Sequence, residues 1–204
     1  MKVGLITFFL LIFIQAKTQQ KIDFQFAFNA NAITLNKTIP FLADSITFSK
    51  IAVYLSSPEI NFYQLVNAEN DKSLQLDFEE IGSNTFYLGV DSLTNSNGAM
   101  GGDLDPTKGM YWTWQTGYIH FKLEGNIICD SSRKSFEYHI GGYSSNDSSP
   151  FFVGHKSIGN ELQVTLDIYP AIQLAMKKEV FRIMSPGKRS DQMAQAILSG
   201  ISIK

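Results

Sequence analysis

The chain has 204 residues, with 17 Lys and Arg against 19 Asp and Glu and a formal net charge of −2. That balance leaves no basic footprint for a phosphate backbone, which excludes DNA and RNA as expected partners. Cys129 is the single cysteine, so neither an intrachain disulfide nor a Cys-x-x-Cys metal or haem motif can be built from this chain.

Lys2 precedes an apolar run from Val3 to Ile14, followed by Gln15-Ala16-Lys17-Thr18-Gln19-Gln20. The run is shorter than the ~20 residues that span a bilayer, so residues 1–18 are expected to be a cleaved secretory signal peptide. Cleavage is expected between Ala16 and Gln20, where no cysteine can carry a lipid. A soluble periplasmic or secreted protein is the expectation. Residues 21–204 then suffice for one core and are short for two, which predicts a single domain. Sequons at Asn36 and Asn146 would matter only in a eukaryotic secreted protein.

After the signal the hydrophobic pattern has period two. Ile22, Phe24, Phe26 and Phe28 alternate with polar neighbours and predict a strand. Between Ile46 and Leu55 the apolar parity changes, from Ile46 and Phe48 to Ile51, Val53 and Leu55, which predicts a bulge near Ser49-Lys50. Further strands are expected at Leu74 to Phe78, Phe86 to Val90, Ile119 to Leu123, Phe136 to Ile140 and Leu162 to Ile168, with weaker ones at Val180 to Met184 and Ile201 to Ile203. Asp191 to Leu198 has helical spacing after the turn signal Ser185-Pro186-Gly187, with Ser190 or Asp191 as N-cap and Gly200 as stop. Ala171 to Lys178, behind Pro170, offers a second helical piece. The expected fold is all-β: a single β-sandwich, immunoglobulin-like or related, with one short C-terminal helix near residues 190–199.

Asp91 to Met110 has almost no periodicity and is dense in Gly, Asn, Asp and Ser. A loop of that length is either functional or a long connection held by Asx turns. Asp91, Asp103 and Asp105 are candidates for a hard cation such as calcium, although their spacing matches no EF-hand loop.

The segment after it carries the residues suited to metal chemistry. Strand Tyr118 to Glu124 puts His120, Lys122 and Glu124 on one face, and strand Ser135 to Ile140 puts Glu137 and His139 on the matching face. Pairing Lys122 with Glu137 sets opposite charges together, whereas a slide of two residues sets Glu124 against Glu137. The charge-matched register places His120 opposite His139, with Cβ atoms about 4.5 to 5.5 Å apart, close enough to share a metal ion. Two imidazoles are few donors. Trp112 and Trp114 share the parity of His120 if the strand extends back past Gly117, but an intact indole donates a hydrogen bond and has no lone pair to offer. A tryptophan opened oxidatively to kynurenine would present an aniline nitrogen and a ketone oxygen. Met100, Met110 and Cys129 are soft alternatives for copper(I), with packing the ordinary role of methionine. His155 falls in a Gly- and Ser-rich loop.

The order Gly89-Val-Asp-Ser, Asn95-x-x-Gly98, Leu104-Asp-Pro, Gly109-Met-Tyr-Trp-Thr-Trp-Gln-x-Gly-Tyr-Ile, Lys122-Leu-Glu-Gly and Tyr138-His-Ile-Gly-Gly resembles the MbnP family of extracytoplasmic copper-binding proteins, in the form without a lipid anchor. The resemblance covers roughly residues 86–143. It implies copper(I) as ligand, held by histidine and a kynurenine made from tryptophan by a dihaem cytochrome c peroxidase-like partner. Carried over residue by residue, it implicates His139 and either Trp112 or Trp114; His120 rests on the strand register alone. A TonB-dependent receptor is a further partner considered for such a protein.

No Gly-x-Ser-x-Gly, His-Glu-x-x-His or phosphate loop is present, so an enzyme is not expected. The rival class is a carbohydrate- or peptide-binding module on the cell surface, which would use exposed Trp, Tyr and Asn beside the long loop to stack and bind its ligand.

Overall fold

A computed structural model describes residues 19–42, 44–57, 61–79, 85–113, 115–129, 132–142, 151–154 and 161–204. The expected signal peptide, Trp114, the Asn146 sequon and His155 lie outside the described residues. Thirteen strands are described: β1 (Gln19–Phe28), β2 (Asn31–Ala32), β3 (Thr38–Phe41), β4 (Asp44–Ser57), β5 (Phe62–Asn67), β6 (Gln75–Glu79), β7 (Thr85–Leu88), β8 (Ile119–Cys129), β9 (Ser132–Gly141), β10 (Phe151–Gly154), β11 (Glu161–Asp167), β12 (Arg182–Ile183) and β13 (Ile201–Ile203). Three α-helices accompany them: α1 (Ser92–Ser96), α2 (Tyr169–Lys178) and α3 (Lys188–Leu198).

The strands form two sheets, and the fold is a β-sandwich. The smaller sheet runs β13-β11-β1-β2 with β6 also on β1, and the larger runs β10-β7-β4-β8-β9-β12 with β3 and β5 also on β4. β1 and β11 are parallel, in register from Lys21 opposite Glu161 to Ala27 opposite Asp167. The main core is filled by the alternating residues the sequence marks: Ile22, Phe24 and Phe26 from β1, Ile51 and Val53 from β4, Phe121 and Leu123 from β8, Tyr138 and Ile140 from β9, and Leu162, Val164 and Leu166 from β11. The parity change in β4 is a register shift between Phe48 and Lys50 against β8, where the bulge was expected. It lets one continuous strand of 14 residues keep apolar side chains inward along its whole length.

At the C-terminal end, α3 begins at Lys188 behind Gly187, earlier than an N-cap at Ser190 or Asp191 would give. Gly187 has φ 136°, a conformation that suits glycine and turns the chain into the helix one step after Pro186. The second helical piece is α2, with proline in its first turn and Ala171, Ile172 and Ala175 facing the core. So two C-terminal helices pack on the sandwich, where one was expected with a second only suggested.

The outer face of the larger sheet is also covered. The segment from Asp91 to Tyr118 folds back over β4 and β8 and closes a second, smaller core of Ala52, Tyr54, Leu65, Val90, Leu104, Met110, Tyr118 and Ile119. This cap holds the candidate site.

Candidate metal centre

The cap is tied down by its polar residues. Asp91 is the N-cap of α1, accepting from the Thr94 N–H at 3.0 Å and from the Tyr63 hydroxyl at 2.5 Å. Burial works to raise its pKa, but the hydrogen bonds from Tyr63 and Thr94 outweigh that and hold it below the usual carboxylate value. Asp103 accepts from the Leu65 N–H at 2.9 Å and pairs with Lys108, while its carbonyl accepts from the Tyr54 hydroxyl at 2.9 Å. Asp105 caps a short 3-10 turn through the Thr107 N–H, 2.8 Å, and hydroxyl, 2.7 Å. The three carboxylates considered for a hard cation are each committed to a separate local contact. Among the described residues no group of three or more His, Cys, Asp or Glu is placed to hold a metal ion.

Asn95 is the hub of the cap and is buried. Its side-chain oxygen accepts from the Tyr118 N–H at 2.8 Å, which fixes the amide orientation. The amide nitrogen is then directed at the Gly142 carbonyl, 3.2 Å, and at His120 Nε2, 3.1 Å. Tyr118 in turn donates its hydroxyl to the Leu104 carbonyl at 2.8 Å and accepts from the Met100 N–H at 2.9 Å.

The expected pairing of the two histidines is corrected. β8 and β9 pair with Lys122 opposite His139 and Glu124 opposite Glu137, displaced by two residues from the charge-matched register. The displaced register is tolerated because the two glutamates turn apart. Glu124 bonds His139, and Glu137 pairs with Arg182 of β12 at 2.9 Å. A register shift between Ile119 and Phe121 makes His120 the extra residue of a bulge, so it is not set opposite His139. Gly141 fits there because a side chain would meet the Tyr118 carbonyl at 2.2 Å.

His120 is completely buried. Burial lowers its pKa to about 4, against opposing contributions from Asp91 and the Gly142 backbone. The ring is therefore neutral, and because Nε2 accepts from Asn95 its proton belongs on Nδ1. Gly89 packs against that edge: a Cβ there would lie 2.5 Å from Nδ1. In this arrangement the one lone pair of the His120 ring is already used within the cap.

His139 sits differently, with its side chain 10 % exposed. Its Nε2 lies 2.8 Å from Glu124 Oε1. Burial, with the neighbouring Lys122 cation, lowers its pKa despite the opposing glutamate, so the neutral form donates Nε2–H to Glu124 and keeps its lone pair on Nδ1. Lys122 is also pushed down by burial. It spans from this face to the cap, donating to the Gly109 carbonyl at 2.7 Å with Glu124 at 3.9 Å.

The tryptophan segment does not continue β8 backwards. Tyr111 bridges to Tyr118, the Trp112 N–H donates to the Gly117 carbonyl at 3.0 Å, and the Gly117 N–H returns to the Thr113 carbonyl at 2.7 Å. This is a tight turn closed by Gly117 at φ 70°, so strand parity is not transmitted from His120 to Trp112. Trp112 is partly buried and packs on the second core. Its indole N–H is out of solvent and has no hydrogen-bond partner among the described residues.

Sequence reasoning named Gly89 and Asn95 as motif residues and Glu124 as a face residue, and missed the roles of all three. Glu124 was within reach, since the two-residue slide brings it diagonally beside His139. Asn95 was legible only as the first residue of the Asn95-x-x-Gly98 motif, which assigns its side chain no partner.

A two-sheet sandwich with a polar cap over one outer face and a histidine beneath it is the architecture these elements define. The MbnP family model matches residues 17–184, and the chain belongs to the MbnP family. In fold it is similar to MbnP from Methylosinus trichosporium, at a TM-score of 0.51 and 12 % identity over 78 % of each chain. No curated protein matches the chain.

The donor chemistry near the cap fits copper(I) in part. A neutral imidazole with a lone pair on Nδ1 is a suitable ligand, and no carboxylate cage suited to a hard cation is present among the described residues. Intact Trp112 adds no donor atom.

Proposed function

We propose that this protein is an extracytoplasmic copper-binding protein that carries copper(I) as cargo and is not an enzyme. His139 supplies an imidazole, and Trp112 or Trp114, after oxidation to kynurenine, supplies the aniline nitrogen or ketone oxygen that an indole lacks. The observation that carries this reading is the His139 to Glu124 contact of 2.8 Å, which leaves a neutral imidazole with a lone pair to give. Membership of the MbnP family supports it. The modifying partner is a dihaem cytochrome c peroxidase-like protein, which would use peroxide as oxidant to break the indole C2–C3 bond with one oxygen added at each carbon, after which water releases C2 as formate and leaves kynurenine. Export to the periplasm or outside the cell places the protein where such a partner would meet it, and uptake through a TonB-dependent receptor would be consistent with copper as cargo.

Partial burial of Trp112, with its N–H out of solvent, counts against the carbohydrate-stacking alternative, which needs an exposed ring face. Copper analysis of protein co-produced with the peroxidase tests the proposal. Bound copper that disappears in His139→Ala supports it, and copper bound equally by that variant refutes the ligand assignment.

A further inference from the structure

We propose that Glu124 is the positioning residue of this site: by accepting the proton on His139 Nε2 it fixes the ring tautomer and makes Nδ1 the atom that binds copper(I). The inference rests on the copper reading above and adds the donor atom and the residue that selects it. Three observations converge on Glu124. Its Oε1 is 2.8 Å from His139 Nε2, within the range of a charge-assisted hydrogen bond. The strand register sets it directly opposite Glu137, an unfavourable like-charge placement that is relieved because Glu124 turns to His139 while Glu137 turns to Arg182. Lys122, on the same face of β8, lies 3.9 Å from the same Oε1 and donates to the Gly109 carbonyl, so the carboxylate is braced from the side of the tryptophan segment.

A neutral imidazole carries one proton and one lone pair, and the hydrogen bond at one nitrogen determines which nitrogen is left to a metal. Carboxylates that hold metal-binding histidines in this way commonly contribute 10- to 100-fold to metal affinity. His120 provides the internal contrast, since its Nε2 accepts from Asn95 and the opposite tautomer follows.

The test uses the full mature chain co-produced with the dihaem peroxidase and compares wild type with Glu124→Gln and Glu124→Leu. In metal-free protein, long-range proton to nitrogen-15 correlation spectra read the His139 tautomer directly. Wild type is expected to carry the proton on Nε2. Gln, whose carbonyl can still accept it, should retain that tautomer, and Leu should give a mixture. Copper(I) affinity, from competition with a chelator, should fall about 10- to 100-fold in Glu124→Leu and recover most of the way in Glu124→Gln. A wild-type His139 with its proton on Nδ1 overturns the positioning role, whatever the copper result. A tautomer that shifts as expected in Glu124→Leu while copper(I) stays as tightly bound overturns Nδ1 as donor but leaves copper binding standing. Wild-type protein that binds no copper(I), with the Nε2 proton in place, overturns the copper reading and leaves the orienting contact intact.

Discussion

The core between the two sheets is filled by alternating aliphatic and aromatic side chains, among them Phe24, Ile51, Phe121 and Leu166, and few polar groups enter it. The core under the Asp91 to Tyr118 cap is smaller and is mortised by buried polar residues: Asn95, His120 and the hydroxyls of Tyr54 and Tyr118. Apolar burial is non-directional and tolerates sliding and repacking. A buried hydrogen-bonded hub does not, because each donor left unpaired costs free energy. The first region therefore holds the fold, and the second holds a geometry.

The largest expected effect separates the two in kind. Phe121→Ala, in the main core, should lower unfolding free energy by about 3 to 5 kcal/mol, with all probes in urea moving together. Asn95→Leu should cost roughly 2 to 4 kcal/mol through the buried groups it strands. Its signature is local: amide exchange in the cap should accelerate while β1 and β11 stay protected. Equal loss of protection across both regions in Asn95→Leu would show that they unfold as one unit.

A pH titration sharpens the contrast. The folded protein holds His120 near pKa 4, whereas the unfolded chain titrates it near its ordinary 6.5, so the unfolded state takes up the proton first. Stability should be complete above about pH 6.5 and decline as pH falls toward 4, by up to roughly 3 kcal/mol from this residue. His139, also shifted downward, adds a term of the same sign. His120→Gln should flatten the profile in that window, and an unchanged slope would mean that the histidine is not sealed in the folded state.

How much of this the sequence revealed follows the same division. The main-core strands were legible because period-two burial writes itself into residue order, and the β4 bulge was legible because it shifts apolar parity from Phe48 to Ile51. The bulge at His120 changes parity too, but both Tyr118 and Ile119 find apolar surroundings under the cap, so no polar residue marks the break. The β8 and β9 register was misjudged because charge was balanced across that pair alone, whereas Arg182 of β12 and the diagonal His139 settle the two glutamates. Gly117 did signal a turn, and the parity link to His120 held only on the condition that the strand ran back through it, a condition that Trp112 does not meet. The Asx turns expected in the cap are present at Asp91 and Asp105, but its architecture was not legible because its order comes from side-chain hydrogen bonds between distant positions, which leave no periodic trace.

Smaller effects refine the cap. Tyr63→Phe removes the hydroxyl that Asp91 and Thr94 share and should cost about 1 kcal/mol in thermal or urea unfolding. Leu93, 72 % exposed on α1, should tolerate Leu93→Ser within about 0.5 kcal/mol. A larger loss there would mean that the cap's outer surface is covered in solution.

The most direct test of the central claim is copper content together with intact mass on protein purified from its own host, with His139→Ala and His120→Gln produced in parallel. Wild type should contain copper(I) and show the mass gain of one tryptophan converted to kynurenine. His139→Ala should keep the mass gain and lose the copper, and His120→Gln should retain copper despite its altered acid stability. Copper held undiminished by His139→Ala, or wild-type protein with both tryptophans intact and no copper, would contradict the account.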